Sequence, residues 1–365
     1  MENPLVVEMN ERDDRPYFIY ALHSGKLYGT ERMALATLHQ LRDRFKPVVF
    51  APAGDAIHEA KKRGMQAYTF ANRFDFLKGL RPFFATSDSL AFAATGLMHS
   101  AAGLALQKLY DTRVCHLHMV HGGTDEKRSY GRKHLLNRFP VTFVAVSDFV
   151  CKRLRAHGVE CSKIKTIENF LLDQEIHNNP QRQRFAGKQI NEILIVSRID
   201  PIKRIDLLFA AIDSFAPLRQ LRFRIAGSGS QFSAMRQLAQ QKYPNVEFSG
   251  FCDDIPALAA RSDLLLHLCP EEPFGLVVLE AMAARLPVLV PDEGGAAALV
   301  RDGKTGFRFR ADDASDLAHK LWSLHRASPH TLNPIVHSAH KTLVRHFSAT
   351  TRIEDYHNLL SASLS

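Results

Sequence analysis

The sequence predicts an α/β protein made of two similar domains, and three observations support this class. Short apolar runs alternate with helix-length amphipathic segments along nearly the whole chain, as is typical of β-α units around parallel sheets. The length of 365 residues suits two hydrophobic cores better than one. A polar stretch at 178–184 contains a proline and has no apolar periodicity, so it is interpreted as a linker.

The first half contains six predicted strands. They lie at 17–22, 47–51, 65–70, 90–95, 113–120 and 141–146. One of the intervening helices is predicted over 55–63, with Asp55 as its N-cap and Gly64 as its C-terminal stop, and another follows the capping residue Ser147. The apolar stretch 90–106 is shorter than the roughly 20 residues of a membrane span, so it is divided into a strand and a helix.

The second half repeats the pattern. Its predicted strands lie at 193–196, 222–226, 246–249, 264–268, 287–290 and 306–309. We therefore expect an N-terminal domain over 1–177, a linker over 178–187 and a C-terminal domain over 188–346.

The composition is that of an ordinary folded protein, with 45% hydrophobic and 23% charged residues. The five cysteines are odd in number and never form a Cys-x-x-Cys pair, which argues against a disulfide framework or a zinc site. The first 16 residues mix acidic groups with few apolar runs, unlike a secretory signal. These observations predict a cytoplasmic protein.

The net charge of +9 admits several partners: a nucleic acid, an anionic membrane surface, an anionic substrate, or none. Basic and bulky apolar residues interleave at 73–84, and a basic stretch follows at 127–138. Such segments can lie on a membrane interface. The alternative for 73–84 is a partly buried connector.

Two glutamates give the sharpest local feature. Glu272 follows an apolar run and Glu280 lies eight residues later, on a predicted helix that starts near Gly275. Since eight residues make about two helical turns, both carboxylates can face one cleft at the carboxyl edge of the sheet. Carboxylate oxygens accept hydrogen bonds from sugar and ribose hydroxyls.

Basic residues occupy the loop that leaves the first strand of the second half. Arg198 and Lys203 are placed there to hold a diphosphate, with Arg204 as a competitor for the role. Gly227 and Gly229 form a strand-to-helix turn that lets a ligand approach the backbone closely.

The histidines of the first half invite a metal hypothesis. His116 and His118 alternate on a predicted strand, and only His121 lies at its exit. The Asp253-Asp254 pair is more simply a helix cap. We therefore predict no metal and no cofactor.

Taken in order, these segments resemble the family-four retaining glycosyltransferases (glycosyl transferases group 1) of the GT-B fold. The resemblance rests on motifs along nearly the whole chain: Gly29-Thr-Glu-Arg32, Val120-His-Gly122, Arg198 with Lys203, Ala226-Gly-Ser-Gly229, Phe248-Ser-Gly250, Glu272-x7-Glu280, Gly294-Gly295 and Asp302-Gly-Lys-Thr-Gly306. It implies two Rossmann-like, doubly wound domains that face a central cleft, with a final helix at about 347–365 that packs back on the first domain.

The resemblance also implies the chemistry, a hexosyltransferase-type transfer (EC 2.4) from a nucleotide-diphosphate sugar with retention of configuration. The acceptor would be a glycan, a lipid-linked molecule or a lipopolysaccharide. Arg198 and Lys203 would hold the donor diphosphate, Glu280 the ribose, and Glu272 the sugar.

The remaining site residues follow from the same resemblance. Phe274 and Gly275 would supply backbone amides near the sugar. His121 would lie beside the reacting carbon, and Gly29 with the glycines at 227 and 229 would line the donor. We expect attachment to the inner face of the cell membrane. We expect no nucleic-acid partner. The alternative is a non-catalytic basic protein that binds membranes or nucleic acid.

Overall fold

The computed structural model describes residues 13–123, 126–187 and 189–364, except for the side chains of residues 126 and 128. The acidic amino terminus used in the export argument therefore lies largely outside the described residues. Two parallel sheets organise the described chain, and both are flanked by helices.

The first sheet has seven strands in the order β3-β2-β1-β4-β5-β6-β7. These strands are β1 (Tyr17–Ala21), β2 (Lys46–Ala51), β3 (Gln66–Thr69), β4 (Ser89–Ala94), β5 (Arg113–Val120), β6 (Thr142–Ala145) and β7 (Ile164–Thr166). Buried parallel strands need apolar residues on both faces, which is why β4 is a continuous apolar run after Ser89.

The second sheet has six strands in the order β10-β9-β8-β11-β12-β13. These strands are β8 (Glu192–Val196), β9 (Arg222–Ala226), β10 (Val246–Gly250), β11 (Leu264–Leu266), β12 (Val288–Pro291) and β13 (Phe307–Phe309). All twelve strands predicted from the sequence are confirmed within a few residues, as is the α/β class.

Helices lie between successive strands along the chain, and the last three helices follow β13. The helices are α1 (Gly29–Gln40), α2 (Asp55–Lys62), α3 (Arg73–Thr86), α4 (Leu97–Tyr110), α5 (Glu126–Tyr130), α6 (Asp148–Ala156), α7 (Asp173–Asn178), α8 (Ile205–Ser214), α9 (Phe232–Lys242), α10 (Ile255–Arg261), α11 (Leu276–Ala283), α12 (Gly294–Leu299), α13 (Ala314–His325), α14 (Pro329–His346) and α15 (Ala349–Leu364). Short 3₁₀ turns include Pro201–Lys203 and Lys133–Arg138.

Two local predictions are confirmed and two need correction. The Ser147 side chain caps α6 by accepting from the Val150 amide, and Asp254 caps α10. Asp55 is wrong as an N-cap by one residue, because the N-cap is Gly54, which has a φ of +154°. A side chain at Gly54 would collide with the Gly25 carbonyl, so this position requires glycine. Strand β7 was not predicted.

The interpretation of 73–84 as a membrane-facing segment loses most of its basis. This segment is α3, and its bulky residues Phe76, Leu80, Phe83 and Phe84 are all buried in the core, whereas Phe74 alone among its phenylalanines is exposed. The helix uses its apolar face for internal packing.

The chain divides into two compact units. One comprises the residues up to His118 together with those from His357 onwards, and the other comprises Met119–Tyr356. The first has a core rich in aromatic residues, including Phe50 and Phe92, and the second has an aliphatic core around Ile195 and Leu266. The domain boundaries expected at 178–187 and 347 stay predictions.

In the ranges that the structure describes, no helix combines the length and the hydropathy required to cross a bilayer.

Candidate functional site

The six-stranded sheet reverses its strand order between β8 and β11, which lie side by side. In open parallel sheets, ligands bind in the crevice outside the carboxyl ends of the strands at such a reversal. Two loops form its walls: 197–204 after β8, and 267–275 after β11. These loops carry the two charged motifs that were singled out from the sequence.

An ion pair joins the loops. The Lys203 ammonium donates to Glu272 Oε2 at 2.6 Å, and the two side chains are only 14% and 18% exposed. Burial alone would raise the pKa of the Glu272 carboxyl, but the neighbouring Lys203 ammonium outweighs burial and holds that pKa below its usual value. Burial would lower the pKa of Lys203, but the Glu272 carboxylate outweighs it and raises that pKa. Both groups are therefore charged at neutral pH.

His267 is a site residue that sequence reasoning missed. Its ring is 4% exposed, and Nε2 lies 3.8 Å from the same Oε2 that accepts from Lys203. Burial lowers the pKa of His267 to about 4, so the ring is neutral at pH 7. The residue directly follows β11 inside an apolar run, and only the approach of Lys203 from a distant part of the chain reveals its setting.

The other basic residues of the first loop have distinct partners. Arg198 is 46% exposed and contacts Asp200 at 2.9 Å, and Asp200 in turn accepts from the Ser230 amide and hydroxyl at 3.0 and 2.8 Å. Arg204 instead pairs with Asp206 and Asp312. The Arg198 charge also acts to lower the pKa of both Lys203 and Glu272, which favours Arg198 over Arg204 as the partner of Lys203 in the crevice.

Glycines allow the loop after β9 to pack on the loop after β8. A Cβ at Gly227 would lie 1.8 Å from the Ser197 carbonyl oxygen, and one at Gly229 would lie 2.6 Å from backbone atoms of Ile199. Any larger residue at either position would push this wall of the crevice apart.

The Glu272 loop is fixed by its own glycine contacts. The Gly295 amide, at the start of α12, donates to the Glu272 carbonyl at 2.6 Å. Phe274 is buried, and Gly275 is the N-cap of α11 with a φ of +99°. Glu280 lies half-buried on that helix, so the predicted helix start near Gly275 is confirmed.

His121 follows β5 and is half-buried. Its neighbour Gly122 has a φ of +77°, and a Cβ there would lie 2.5 Å from the Pro273 ring, so the backbone beside His121 lies directly against the Glu272 loop. The Ser147 hydroxyl donates to the Pro273 carbonyl at 2.5 Å and fixes the same loop from another side.

Gly29 lies in the other unit, as the first residue of α1. The Tyr28 amide before it donates to the Glu31 carboxylate at 3.1 Å, and Glu31 is buried. In this structure Glu31 of the Gly29-Thr-Glu-Arg motif therefore stabilises the start of α1.

Across the described residues, no group of three or more His, Cys, Asp and Glu side chains is placed to hold a metal ion.

Comparison with known proteins links this crevice to one family. Residues 177–333 match the profile of the family described as "Glycosyl transferases group 1". The chain is similar to N-acetyl-alpha-D-glucosaminyl L-malate synthase of Bacillus anthracis, with 29% identity over 44% of this chain and 44% of that protein. It is also similar to D-inositol 3-phosphate glycosyltransferase of Nocardia farcinica, with 33% identity over 36% of this chain and 32% of that protein. The matches thus span less than half of these curated relatives.

The fold has a solved counterpart over almost its whole length. The structure of Anabaena HepE in complex with UDP and glucose superposes with a TM-score of 0.77 at 21% identity, and covers 95% of this chain and 100% of that one. This likeness confirms the predicted GT-B fold. The region that matches the glycosyl transferases group 1 family, residues 177–333, includes both walls of the charged crevice.

Proposed function

We propose that the protein is a glycosyltransferase that moves a sugar from a nucleotide-diphosphate donor, with UDP-sugars as the first donors to test. The observation that carries this proposal is the buried Lys203–Glu272 pair at the strand-order reversal, inside the region that matches the family. Support for a uridine nucleotide comes from the fold relative HepE, whose structure contains UDP and glucose.

Arg198 and Lys203 bind the diphosphate in this proposal. Both lie in the loop after β8, and Lys203 has three N–H donors, of which Glu272 uses one. The sugar–phosphate bond breaks with its electron pair going to the diphosphate, so negative charge grows next to these cations. No metal or cofactor is required for that step.

Glu272 and Glu280 bind the hydroxyl groups of the donor. Glu272 accepts from the sugar, while Glu280, farther along α11, accepts from the ribose. The backbone amides of Phe274 and Gly275 complete the sugar site, and Gly227 and Gly229 leave room for the diphosphate backbone contact.

His121 lies beside the reacting carbon in this proposal, because its neighbour Gly122 packs on Pro273, one residue from Glu272. The acceptor oxygen attacks the face from which the diphosphate departs, which retains the configuration. The departing phosphate oxygen takes the acceptor proton, so no enzyme nucleophile is needed. Gly29, on α1, belongs to the acceptor-side unit.

The acceptor is proposed to be a glycan, a lipid-linked molecule or a lipopolysaccharide. The relatives named above differ in their acceptors, as their names show. The acceptor is therefore the part of the reaction for which the comparisons give least support.

A peripheral position on the cytoplasmic face of the membrane is proposed from one exposed surface. In the 3₁₀ turn Lys133–Arg138 and the residue after it, Leu135 and Phe139 are 53% and 45% exposed, and Arg132 and Arg138 are exposed beside them. Lys163 adds a positive charge to this surface, where its ammonium donates to the Phe139 carbonyl at 2.6 Å. Apolar tips surrounded by cations fit an anionic lipid surface.

Vesicle sedimentation tests the membrane surface. We expect binding to vesicles that contain phosphatidylglycerol, weakening with salt, and loss of binding in the Leu135→Ser, Phe139→Ser double variant. Phe74→Ser, at a phenylalanine that is 67% exposed elsewhere, is the control and should bind normally. Equal recovery with and without anionic lipid would refute this surface.

The proposed activity is tested by incubating the protein with a panel of UDP-, GDP- and ADP-sugars and measuring release of the nucleoside diphosphate. We expect slow hydrolysis of at least one nucleotide sugar, and thermal stabilisation by its nucleotide that increases with concentration. If no nucleotide in the panel stabilises the protein or is released, the proposed function is wrong.

A further inference from the structure

Three side chains meet at one carboxylate oxygen. Lys203 Nζ lies 2.6 Å and His267 Nε2 lies 3.8 Å from Glu272 Oε2. The lysine contact is a short ion pair, whereas the histidine contact is too long for a hydrogen bond. Glu272 therefore has one partner in use and a second one close by.

The imidazole nitrogen that faces Glu272 has no hydrogen-bond partner among the described residues, although it is buried. Buried polar side-chain atoms are hydrogen-bonded in the large majority of cases, so each exception calls for an explanation. The backbone position is fixed, because the His267 amide donates to the Leu289 carbonyl at 2.9 Å, across the strand pair. The nitrogen is thus held at a set place in the wall of the crevice.

Donor binding would disturb the existing pair. A diphosphate carries more negative charge than one carboxylate, and the flexible lysine side chain can move its ammonium towards it. A buried carboxylate that loses its cation is costly, so Glu272 needs a replacement partner. His267 Nε2 is the nearby candidate, because it lies 3.8 Å from Glu272 Oε2, the oxygen that accepts from Lys203.

We propose that His267 is a positioning residue for Glu272, which passes from Lys203 to the His267 ring when a nucleoside diphosphate binds. This inference rests on the proposed function. The exchange leaves Lys203 free for the diphosphate and holds the Glu272 carboxylate still, so that it can accept hydrogen bonds from the donor sugar.

The exchange also predicts proton uptake. The charged groups that face the ring are Glu272 and Lys203, while the buried Cys269 thiol stays neutral because burial raises its pKa to about 11. The ring makes its other hydrogen bond to the backbone of Cys269. If that bond uses the single N–H of the neutral ring, Nε2 can donate to Glu272 only after the ring gains a proton. Arrival of the diphosphate and departure of the ammonium both favour that proton.

Two substitutions separate the components of this proposal. His267→Leu removes both the hydrogen bond and the titration, whereas His267→Gln keeps an N–H donor but cannot titrate. Both replace a buried side chain by one of similar size, and thermal unfolding reports whether each variant is folded.

The experiment is calorimetric titration of each protein with UDP, and with GDP and ADP in parallel, at pH 5.5 in buffers of different ionisation enthalpy. The wild type should take up more protons per bound nucleotide than either variant, and protonation of the nucleotide itself is common to all three. In donor hydrolysis, His267→Leu should lose about tenfold in kcat with little change in KM, while His267→Gln should stay within about threefold of the wild type.

The possible outcomes are distinct. Equal proton uptake by the three proteins, or equal turnover of wild type and His267→Leu, overturns the role of His267 and leaves the proposed function standing. Failure of every nucleotide to bind the wild type overturns the proposed function, and the exchange with it.

Discussion

The strand-order reversal between β8 and β11 carries charged groups, whereas the one between β1 and β4 carries hydroxyl and imidazole groups. In the first, Lys203 and Glu272 form a buried ion pair beside Arg198. In the second, the Thr95 hydroxyl accepts from the His23 amide at 3.0 Å and also contacts the His23 ring at 2.8 Å. Each reversal lies within a single compact unit of the chain.

The difference shows how one sheet topology can serve two kinds of ligand. Cations next to a carboxylate suit a ligand with phosphate and hydroxyl groups, because hydrogen bonds with an ionised donor or acceptor are stronger than those between neutral groups. Hydroxyl and imidazole groups suit a ligand that is mainly hydroxylated. His99, near the second reversal, adds a ring that is neutral at pH 7, because burial lowers its pKa to about 4. We therefore expect the donor at the first reversal and the acceptor at the second.

The largest effect is expected at the charged reversal. Lys203→Ala and Arg198→Ala should each lower the transfer rate at saturating donor by about 10²–10³, because their charges stabilise the departing diphosphate more than the bound donor. Single-turnover rates check this. Lys203→Arg should rescue only in part, since a planar fork differs from a compact ammonium. Unchanged turnover in both alanine variants would contradict the assignment of the donor diphosphate to the reversal between β8 and β11.

His121 is expected to affect the reaction and not the nucleotide. His121→Ala should reduce transfer by roughly 10², the lower end of what one positioned side chain supplies, and should leave the affinity for UDP nearly intact. Equilibrium titration and turnover on the same preparation measure both. A variant with weakened UDP binding and a normal rate at saturation would remove His121 from the reacting centre.

Glu280→Gln should act mainly on affinity. The ribose hydroxyls that we assign to it change little during the reaction, so we expect about a tenfold weaker nucleotide Kd, equivalent to about 1.4 kcal/mol, with kcat nearly unchanged. Titration with UDP and with UMP checks the result. A drop in kcat without a change in Kd would place Glu280 at the sugar instead.

The smallest effect is expected at the second reversal. Thr95→Val keeps the side-chain volume but removes the hydroxyl that contacts His23. We expect a few-fold loss of transfer to the acceptor, consistent with one neutral hydrogen bond, and no change in UDP affinity. A clear loss of UDP affinity in this variant would show that the two reversals do not divide the ligands.

Most of the fold was predictable because its strands are buried on both faces and appear as apolar runs. Strand β7 was not predicted, because Ile164–Thr166 is three residues long and contains one apolar side chain. The sequence left two interpretations of α3 open for a related reason: interleaved basic and aromatic residues look alike on a membrane-facing helix and on a helix whose aromatic face is buried.

The site was predictable as a set of motifs but not as an arrangement. The sequence indicated Arg198, Lys203 and Glu272 separately, and the ion pair between two of them depends on β8 and β11 being neighbours. His267 carried no signal, since an isolated histidine after an apolar run resembles any buried histidine. Its significance comes from the distance of 3.8 Å between its Nε2 and Glu272 Oε2, and the sequence around His267 does not reveal that distance.

The most direct test of the central claim is the affinity for UDP measured by calorimetry on the wild type, Arg198→Gln, Lys203→Met and the control Arg222→Gln. Arg222 is 74% exposed on β9 and pairs with Glu192, so its replacement removes the same charge without touching the crevice. We expect the two crevice variants to bind UDP at least about tenfold more weakly than the wild type, while the control binds like the wild type. Equal affinity in all four proteins would contradict the assignment of the nucleotide diphosphate to the crevice between β8 and β11.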